Sequence, residues 1–575
     1  MSTPKESAIN KANHWKSFQL DAATRAEIER MEQHDEKLFI DSFYSDLEFG
    51  TGGLRGVMGV GSMRMNQYTV GMATQGLANY INSQVKEGSV AIAFDSRNNS
   101  PYFANIAADI LSANGIRVFI FPELRPTPLL SYTVRELKCT AGIVITASHN
   151  PKEYNGYKVY WSDGGQILPP HDKGIISEVR NVASWADVKN VRQSSLVNEV
   201  PAHVEESYLA KVRDLCLATE EVQKENNVGI VYTSIHGSGI TLVPKTLHAL
   251  GFTNVHVVKE QEVPDGNFPT VESPNPEEKS AMNLALELAK KVNAELVLGT
   301  DPDTDRVGLA IRNHKNELVL VNGNQAGSLL VQYRMQVGKQ KNQLPPNPYI
   351  AKTIVTSDLI SRIAEDFKVP CYETLTGFKF IAGVIGEREG KESFVAGGEE
   401  SYGYLVGEFV RDKDAALSSV QFAEIAAYAK AHGSSLWNML MELYLKHGVF
   451  QEELVSITLK GIDGVEQIQA MMKRLRENPP AVLGGSKLAF LHDVKAGTAL
   501  ELATGKTTSL NLPSSDVLQF ILEDGSKISA RPSGTEPKIK FYFSLRSEMS
   551  KVEEYEEISQ KLMARISQIR TELGV

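Results

Sequence analysis

The sequence predicts an α/β protein with three related α/β domains, whose sheets are mainly parallel, and a C-terminal α+β domain around a central cleft. The chain has 575 residues, whereas one hydrophobic core stops growing at roughly 250–300 residues, so several domains are expected. Short apolar strands alternate with helices in three successive stretches, which is typical of parallel sheets. The last stretch has a different pattern, with antiparallel strands and one amphipathic helix.

The first 40 residues are polar and are predicted to be helical. Nine apolar segments beyond them are predicted as strands, three in each α/β domain. They are SVAIAFD (89–95), IRVFIFP (116–122), CTAGIVIT (139–146), VGIVYTS (228–234), NVHVVKE (254–260), AELVLGT (294–300), NPYIAKTIVTS (347–357), VPCYETL (369–375) and ESFVAGG (392–398).

The final part of the chain is predicted to form a smaller α+β domain. Residues 516–547 contain two or more antiparallel strands, and residues 551–573 form an amphipathic helix. The predicted domains therefore cover residues 1–205, 206–322, 323–450 and 451–575.

Composition excludes several classes of protein. The net charge of −10 argues against a nucleic-acid partner, which usually requires a basic face. Three widely spaced cysteines, Cys139, Cys216 and Cys371, fit neither a disulfide framework nor a metal knuckle and favour a reducing compartment. The N-terminal residues lack the apolar core of a signal peptide, and no apolar run approaches roughly 18–20 residues. We expect a cytoplasmic protein without a membrane partner; the oligomeric state is not indicated.

Polar motifs follow one predicted strand in each α/β domain. They are TASHNP (146–151), DPDTDR (301–306) and GEESYGY (398–404), and RPSGTEPKIK (531–540) lies between two strands of the last domain. In open parallel sheets, ligand-binding groups lie on loops beyond the carboxyl ends of the strands. We therefore expect the four loops to converge on one cleft.

Ser148 directly follows a buried strand, as a nucleophile does, and His149 is its neighbour. An ordinary strand-to-helix turn also uses serine and asparagine, and on Ser148 and His149 alone such a turn is the favoured interpretation. No G-x-S-x-G surrounds Ser148, which excludes the nucleophile elbow of hydrolases. Lys158, in NGYK, can exchange a proton or balance phosphate charge, or is a solvated surface lysine.

The alternation of Asp301, Asp303 and Asp305 indicates a metal site. Three carboxylates this close repel each other unless a cation neutralises them, and oxygen ligands select magnesium, manganese or calcium. The calcium-loop pattern fails because Arg306 and Arg312 replace its glycine and glutamate. Magnesium bound to a substrate phosphate fits best, with a solvated acidic turn as the alternative.

Two further loops are candidates for sugar and phosphate binding. Glu399 and Ser401 can pair with sugar hydroxyls, although a capping turn has the same residues. FGTGGLRG (49–56) carries Arg55 in a loop whose backbone amides can face an anion.

RPSGTEP has the residues of a phosphate clamp. Arg531 offers a bidentate fork to phosphate oxygens, Ser533 and Thr535 offer hydroxyls, and Gly534 allows close backbone approach. The alternative is a polar hairpin.

These motifs, in this order and one per domain, resemble the α-D-phosphohexomutase superfamily, in its longer phosphoglucomutase and phosphopentomutase branch. The resemblance covers roughly residues 40–550. It implies that Ser148 carries the phosphoryl group, and that Asp301, Asp303 and Asp305 bind one Mg²⁺ per chain together with the phosphate on Ser148. It also implies that His149 accompanies the serine.

The resemblance assigns further roles by position. Arg55 and Lys158 line the transfer site. Some relatives have a histidine just after the loop that corresponds to GEESYGY, and this chain lacks it. Lys413 in VRDKDA is therefore the candidate for a second acid or base. The residues that the resemblance implies for binding the phosphosugar are Gly377, Lys379, Glu399, Ser401, Arg531, Ser533, Gly534 and Thr535.

The activity implied is interconversion of glucose 1-phosphate and glucose 6-phosphate through glucose 1,6-bisphosphate, which is both intermediate and activator. The alternatives are a phosphopentomutase or a phosphomannomutase, whose substrates differ in ring size or hydroxyl stereochemistry. A phosphosugar-binding protein without activity is an alternative of another class, and it predicts a damaged nucleophile or metal loop. Both are intact here.

Overall fold

The computed structural model describes residues 3–50, 52–459, 462–533 and 538–575. It contains three helix-flanked sheets in succession and a fourth, C-terminal sheet, which confirms the predicted fold class. Each sheet with its helices is called a unit here, from first to fourth in chain order. The domain bounds given above stay a prediction.

Three helices precede the first sheet, as predicted. They are α1 (Pro4–Lys16), α2 (Ala22–His34) and α3 (Glu36–Phe43). Each begins where a side-chain oxygen, from Thr3, Asp21 or Asp35, accepts a backbone N–H of the first turn. Trp15 and Phe43 belong to the buried faces that pack these helices together.

The first unit has a six-stranded sheet in the order β1-β5-β4-β2-β3-β6, in which β1 and β5 run antiparallel to their neighbours. Its elements are β1 (Gly53–Val57), α4 (Gln67–Gln84), β2 (Ser89–Phe94), α5 (Ser100–Ala113), β3 (Arg117–Ile120), α6 (Thr127–Glu136), β4 (Ala141–Ile145), β5 (Tyr154–Trp161), α7 (His171–Asn181) and β6 (Val197–Glu199). Strand β4 is buried throughout, which explains its unbroken apolar sequence.

The second unit has a five-stranded sheet in the order β11-β10-β9-β7-β8, in which β7, β8 and β9 are parallel. Its elements are α8 (His203–Asp214), α9 (Thr219–Lys224), β7 (Ile230–Thr233), α10 (Val243–Leu250), β8 (Val255–Val257), α11 (Lys259–Glu262), α12 (Lys279–Lys291), β9 (Leu296–Thr300), β10 (Val307–Arg312) and β11 (Leu318–Val321). Strands β9 and β10 are antiparallel neighbours, so the residues between them form a tight turn.

The third unit has a four-stranded sheet in the order β13-β12-β14-β15, with β15 antiparallel. Its elements are α13 (Gly323–Gln340), β12 (Pro348–Thr353), α14 (Asp358–Phe367), β13 (Cys371–Thr374), α15 (Phe378–Arg388), β14 (Ser393–Glu399), β15 (Gly403–Val406), α16 (Ala415–Ala431) and α17 (Leu436–His447).

The fourth unit is an antiparallel sheet in the order β16-β23-β22-β21-β18-β19-β20, with β17 paired to β18. Its elements are β16 (Val449–Thr458), α18 (Ile462–Glu477), β17 (Val482–Leu483), β18 (Ser486–Asp493), β19 (Thr498–Glu501), β20 (Thr507–Ser509), β21 (Leu518–Leu522), β22 (Lys527–Pro532), β23 (Lys538–Ser547) and α19 (Tyr555–Leu573). The C-terminal helix and the antiparallel strands were both predicted.

One hydrophobic cluster is shared by all four units. It includes Tyr132 of the first unit, Leu298 of the second, Tyr404 of the third and Phe541 of the fourth. Because this core joins the units, the loops after β4, β9 and β14 are held in one arrangement. Within the described ranges, no helix is both long and apolar enough to cross a membrane.

Candidate active site

Ser148 lies in the loop after β4 and is almost fully buried. Its Oγ donates a hydrogen bond of 2.7 Å to Asp301 Oδ2 of the second unit. Its φ angle is 52°, in the left-handed region that non-glycine residues seldom adopt. The structure therefore brings together the two motifs from which a nucleophile and a metal site were predicted, 153 residues apart in the chain.

Asp301, Asp303 and Asp305 occupy the turn between β9 and β10, and carboxylate oxygens of all three lie within 4.8 Å of one another. The turn is held by its own backbone, because Asp301 Oδ1 accepts hydrogen bonds from the N–H groups of Asp305 (3.1 Å) and Arg306 (3.0 Å). Burial, followed by the charges of Asp303 and Asp305, raises the pKa of Asp301 well above its ordinary value.

The cluster fits a hard divalent cation. Asp303 Oδ1 and Asp305 Oδ1 are buried and have no hydrogen-bond partner among the described residues. A buried carboxylate oxygen without a donor is unfavourable, and three oxygen ligands with open positions suit Mg²⁺. The cluster can therefore hold a metal ion.

Two lysines from different units meet the aspartates. Lys158 Nζ is 2.7 Å from Asp303 Oδ2 and 3.3 Å from Asp305 Oδ2, and Lys413 Nζ is 3.2 Å from Asp305 Oδ2. Burial acts to lower the pKa of both lysines, but the carboxylates outweigh it and raise both pKa values. Both ammonium groups are held by carboxylates, so this arrangement favours the charged form of each lysine.

The same contacts act on Asp305 in the opposite direction. Burial acts to raise its pKa, but the charges of Lys413, Lys158 and Arg306 outweigh burial and hold the pKa well below its ordinary value. Asp301 and Asp305 therefore have pKa values displaced in opposite directions within one site, which is typical of functional sites.

His149 lies beside Ser148, and the charge of Arg55 acts on His149. His149 Nδ1 is 3.3 Å from Ser148 Oγ. Burial, then the charges of Arg306 and Arg55, lower the pKa of His149 well below its ordinary value, so the imidazole is neutral at pH 7. Arg55 is on β1, opposite Gly156 of β5.

The predicted sugar-binding residues come together in the third unit. Glu399 ends β14, and its Oε1 accepts a 2.9 Å hydrogen bond from the backbone N–H of Gly377. Gly377 has a φ angle of 120°, which explains glycine at this position. Ser401 lies in the turn between β14 and β15. Lys379 is half-buried, and burial lowers its pKa.

Of the predicted phosphate clamp, Arg531 and Ser533 are described. Arg531 lies on β22 and pairs with Lys540 of β23, and the backbone N–H of Ser533 donates 2.7 Å to Lys538 O. Gly534 and Thr535 lie outside the described residues.

Lys540 pairs with Arg531 of the predicted clamp across two strands, and sequence reasoning missed it. Its pKa is lowered first by burial and then by the cations Lys538, Arg531 and Arg306. Arg306 belongs to the turn that carries Asp301, Asp303 and Asp305, called the metal turn here after its predicted role, so positive groups of the fourth and second units share one region. The signal was present in the KIK that follows RPSGTEP.

Thr127 and Asp412 were missed as well. Thr127 Oγ1 donates 3.1 Å to Asp303 Oδ2, and its N–H donates 2.9 Å to Asp303 O. Asp412 accepts from Lys413 Nζ (3.1 Å) and from the Tyr160 hydroxyl (2.7 Å). No motif in the sequence pointed to Thr127. Asp412 could have been found, because it directly precedes the predicted residue Lys413.

Comparison with known proteins gives matches over nearly the whole chain. Residues 46–184, 206–315 and 322–445 match the models of phosphoglucomutase/phosphomannomutase α/β/α domains I, II and III. The phosphoglucomutase of Staphylococcus aureus strain USA300 is 37% identical over 529 residues, covering 92% of this chain and 93% of the relative. That of strain MRSA252 is 36% identical over the same shares.

Two solved structures share the fold. A putative phosphomannomutase from Thermus thermophilus superposes with a TM-score of 0.69 at 20% identity, covering 92% of this chain and 100% of the other. The Paramecium phosphoprotein pp63/parafusin, a phosphoglucomutase in an open form, gives 0.68 at 18% identity, covering 92% and 96%. The resemblance inferred from the motifs is confirmed, and the chain belongs to the phosphoglucomutase/phosphomannomutase family.

Proposed function

We propose that this enzyme interconverts glucose 1-phosphate and glucose 6-phosphate through a phosphoserine at Ser148 and a glucose 1,6-bisphosphate intermediate. The observation that carries the proposal is the 2.7 Å contact between Ser148 Oγ and Asp301, within a buried cluster of three aspartates. The names of the relatives at 37% identity support glucose as the sugar.

Asp301, Asp303, Asp305 and the phosphate on Ser148 would hold one Mg²⁺ per chain. When bound, the ion neutralises charge on the transferred phosphoryl group. The unpartnered oxygens of Asp303 and Asp305 support this assignment.

In the first half-reaction, the P–O bond to Ser148 Oγ breaks as a bond forms from phosphorus to the free sugar hydroxyl. Transfer of this kind requires positioning and charge neutralisation above all. Transfer releases a proton from the sugar hydroxyl and requires one at Ser148 Oγ. Lys158 and Lys413 are cationic, so either can give a proton to the departing Oγ and take up the proton that the sugar hydroxyl releases, which leaves the lysine cationic again. The same exchange takes place in the opposite direction when the reaction runs back, and Arg55 adds positive charge.

The bisphosphate must then turn so that its second phosphate faces Ser148. A clamp in a separate unit, built from Arg531, Ser533 and the adjoining Gly534 and Thr535, fits this need because it can hold either phosphate. Glu399 and Ser401 would bind hydroxyls in both orientations. Gly377 adjoins Glu399, since its N–H already donates to that carboxylate, and Lys379 follows in the first turn of α15.

We also propose that the enzyme works in the cytoplasm. All three cysteines are unpaired thiols in the structure, which suits a reducing compartment. The proposed partners are small phosphosugars.

The initial rate of glucose 1-phosphate conversion, with Mg²⁺ and a trace of glucose 1,6-bisphosphate, tests the proposal. Mannose 1-phosphate and ribose 1-phosphate are assayed in parallel. Preference for the glucose ester supports the proposed substrate. Faster turnover of ribose or mannose keeps the mechanism and changes the sugar, whereas no turnover of any ester contradicts the enzymatic proposal.

A further inference from the structure

A fully buried arginine, Arg97, lies beneath the loop that carries Ser148. Its guanidinium donates to four backbone carbonyls of that loop. The Nη2 group donates to Ser148 O (2.5 Å) and Asn150 O, and Nη1 donates to Pro151 O (2.9 Å) and Tyr154 O (3.0 Å). A planar group with several fixed donors can gather four acceptors in this way, whereas the single ammonium of lysine cannot.

The amide of Ser148 is held by a second arm of the same network. Asp95 Oδ2 is 3.4 Å from Arg97 Nε and accepts a 2.6 Å hydrogen bond from Thr146 Oγ1. Thr146 Oγ1 in turn accepts 2.8 Å from the N–H of Ser148. The backbone of Ser148 is thus fixed on both sides, at its N–H and at its carbonyl.

Such fixation matters because of the left-handed conformation of Ser148 noted above. A non-glycine residue keeps such a conformation when its surroundings over-determine it. In this conformation Oγ reaches Asp301, so the network beneath the loop decides where the hydroxyl lies relative to the aspartates.

The second unit covers Arg97 from the other side. The Phe268 ring centroid lies 5.1 Å from Arg97 Cζ, and Asn98 Nδ2 donates 3.0 Å to Asn267 Oδ1. A Cβ on Gly266 would lie 2.3 Å from the backbone nitrogen of Asn98, so glycine permits this close approach. Arg97 therefore lies where the unit with the nucleophile meets the unit with the aspartates.

We infer that Arg97, acting with Asp95 and Thr146, is a positioning residue that sets Ser148 Oγ for phosphoryl transfer. It touches neither substrate nor the reacting atoms and acts through the backbone of Ser148. The inference rests on the proposed role of Ser148 as the phosphate carrier. Displacement of a reacting group by about 1 Å can lower a rate by about 10²-fold, so loosening the loop is expected to act on kcat.

The test compares Arg97→Lys, Thr146→Val and Thr146→Ser with the full-length wild-type enzyme. We expect kcat to fall about 10²-fold in Arg97→Lys and Thr146→Val, with KM for glucose 1-phosphate within about twofold of wild type. Thr146→Ser keeps the hydroxyl and is expected to retain most of kcat. Hydrogen–deuterium exchange of residues 146–154 is expected to rise in the first two variants, with the thermal midpoint of Thr146→Val close to that of wild type.

Arg334→Lys is the matched control. Arg334 is also buried and donates to a backbone carbonyl, that of Leu215 (2.5 Å), away from the aspartates. It tests whether loss of any buried guanidinium lowers kcat, and we expect kcat within about twofold of wild type. If Arg97→Lys does not fold, the Thr146 pair still decides.

The inference is overturned if Thr146→Val keeps the kcat of Thr146→Ser, or if exchange of residues 146–154 is unchanged in the variants. It is also overturned if a lower rate comes with an equal fall in the Arg334 control. Failure of the proposed function looks different, because wild type would then not convert glucose 1-phosphate. The hydrogen–deuterium exchange measurement needs no substrate, so it still shows whether Arg97 stabilises the loop.

Discussion

At the scale of residues, the site depends on few atoms. Ser148 Oγ meets Asp301, and Asp303 and Asp305 are each bound by a lysine from another unit. Charges buried this deeply are tolerated because they are paired, and removing one partner leaves the other uncompensated. Substitutions here are expected to lower activity, and those that remove one member of a buried charge pair are expected to lower stability as well.

Ser148→Ala removes the proposed phosphate carrier. We expect kcat to fall by about 10³-fold or more, because no other group replaces the nucleophile. Intact mass measurement is expected to show one phosphate on wild type, removed by excess glucose 1-phosphate, and none on the variant. Near-normal turnover in the variant would exclude the phosphoserine.

Asp303→Asn weakens the proposed metal site. Wild-type activity is expected to disappear in EDTA and to return with Mg²⁺. The variant is expected to need at least about 10–100-fold more Mg²⁺ for half-maximal rate, since loss of a residue that only supports a ligand already has this effect. Asp109→Asn, which changes a half-buried carboxylate on α5, is the control and should leave this requirement unchanged. Activity that resists EDTA would contradict the metal assignment.

Glu452 on β16 gives a pH-dependent prediction. Burial raises the pKa of Glu452 to about 7. A carboxyl whose pKa is raised by folding stabilises the protein at low pH, and this contribution is lost as pH rises from about 4.5, the unfolded value, through about 7. Glu452→Gln should therefore unfold at a higher temperature than wild type at pH 8, by on the order of 2–4 °C, and at a similar temperature at pH 5. An equal difference in unfolding temperature between Glu452→Gln and wild type at both pH values would contradict the prediction.

At the scale of elements, helix α13 supports the loop between β14 and β15, which holds the predicted sugar ligands and is called the sugar loop here. A Cβ on Gly323, the first residue of α13, would lie 1.9 Å from Glu400 O and 3.0 Å from Tyr402 N. The loop that holds Glu399 and Ser401 is also tied to the metal turn, because the N–H of Val307 donates 3.0 Å to Tyr402 O. Close contact between a helix start and this loop therefore sets the position of both predicted sugar ligands.

Gly323→Ala should displace that loop. We expect a loss of about 1–3 kcal/mol in the free energy of unfolding and a higher KM for glucose 1-phosphate. The matched control is Gly386→Ala in α15, where a Cβ meets no atom within 4 Å, and a gain of about 0.4–1 kcal/mol is expected. Denaturant unfolding and steady-state kinetics measure both, and equal behaviour of the two variants would contradict the contact argument.

At the scale of the whole molecule, the fourth unit docks on the third through polar and apolar contacts. Lys527 Nζ lies 2.6 Å from Asp358 Oδ1, and Gln519 Nε2 donates 2.8 Å to Ile354 O. Ile354 and Tyr542 belong to an apolar cluster at the same contact. This docking places Arg531 relative to the sugar loop.

Lys527→Met breaks the ion pair and is expected to loosen the fourth unit. We expect a loss on the order of 2 kcal/mol in stability and a higher KM for phosphosugar, with kcat less affected. Small-angle scattering should show a larger radius of gyration. Lys561→Met, at an exposed pair with Glu557, should leave stability unchanged, because solvent screens such a pair. An unchanged KM in Lys527→Met would contradict the predicted effect of this contact on substrate binding.

The sequence alone determined the class of fold and the motifs of the site. Runs such as GIVI before Ser148 and LVLG before Asp301 are apolar enough to identify buried strands, and the polar residues after them must then lie at strand ends. The alternation of three aspartates indicates a metal loop without reference to neighbours, because repulsion is local.

Tertiary structure decided everything that depends on partners distant in the chain. The lysines are cationic because they meet Asp303 and Asp305, and Thr127 contacts Asp303 across 176 residues of sequence. Nothing in the sequence around Arg97 indicates that its guanidinium binds the backbone of Ser148. The charge state and hydrogen bonding of these residues depend on burial and on the distance between units. Packing of the shared core sets burial and distance, and no single segment of the sequence encodes that packing.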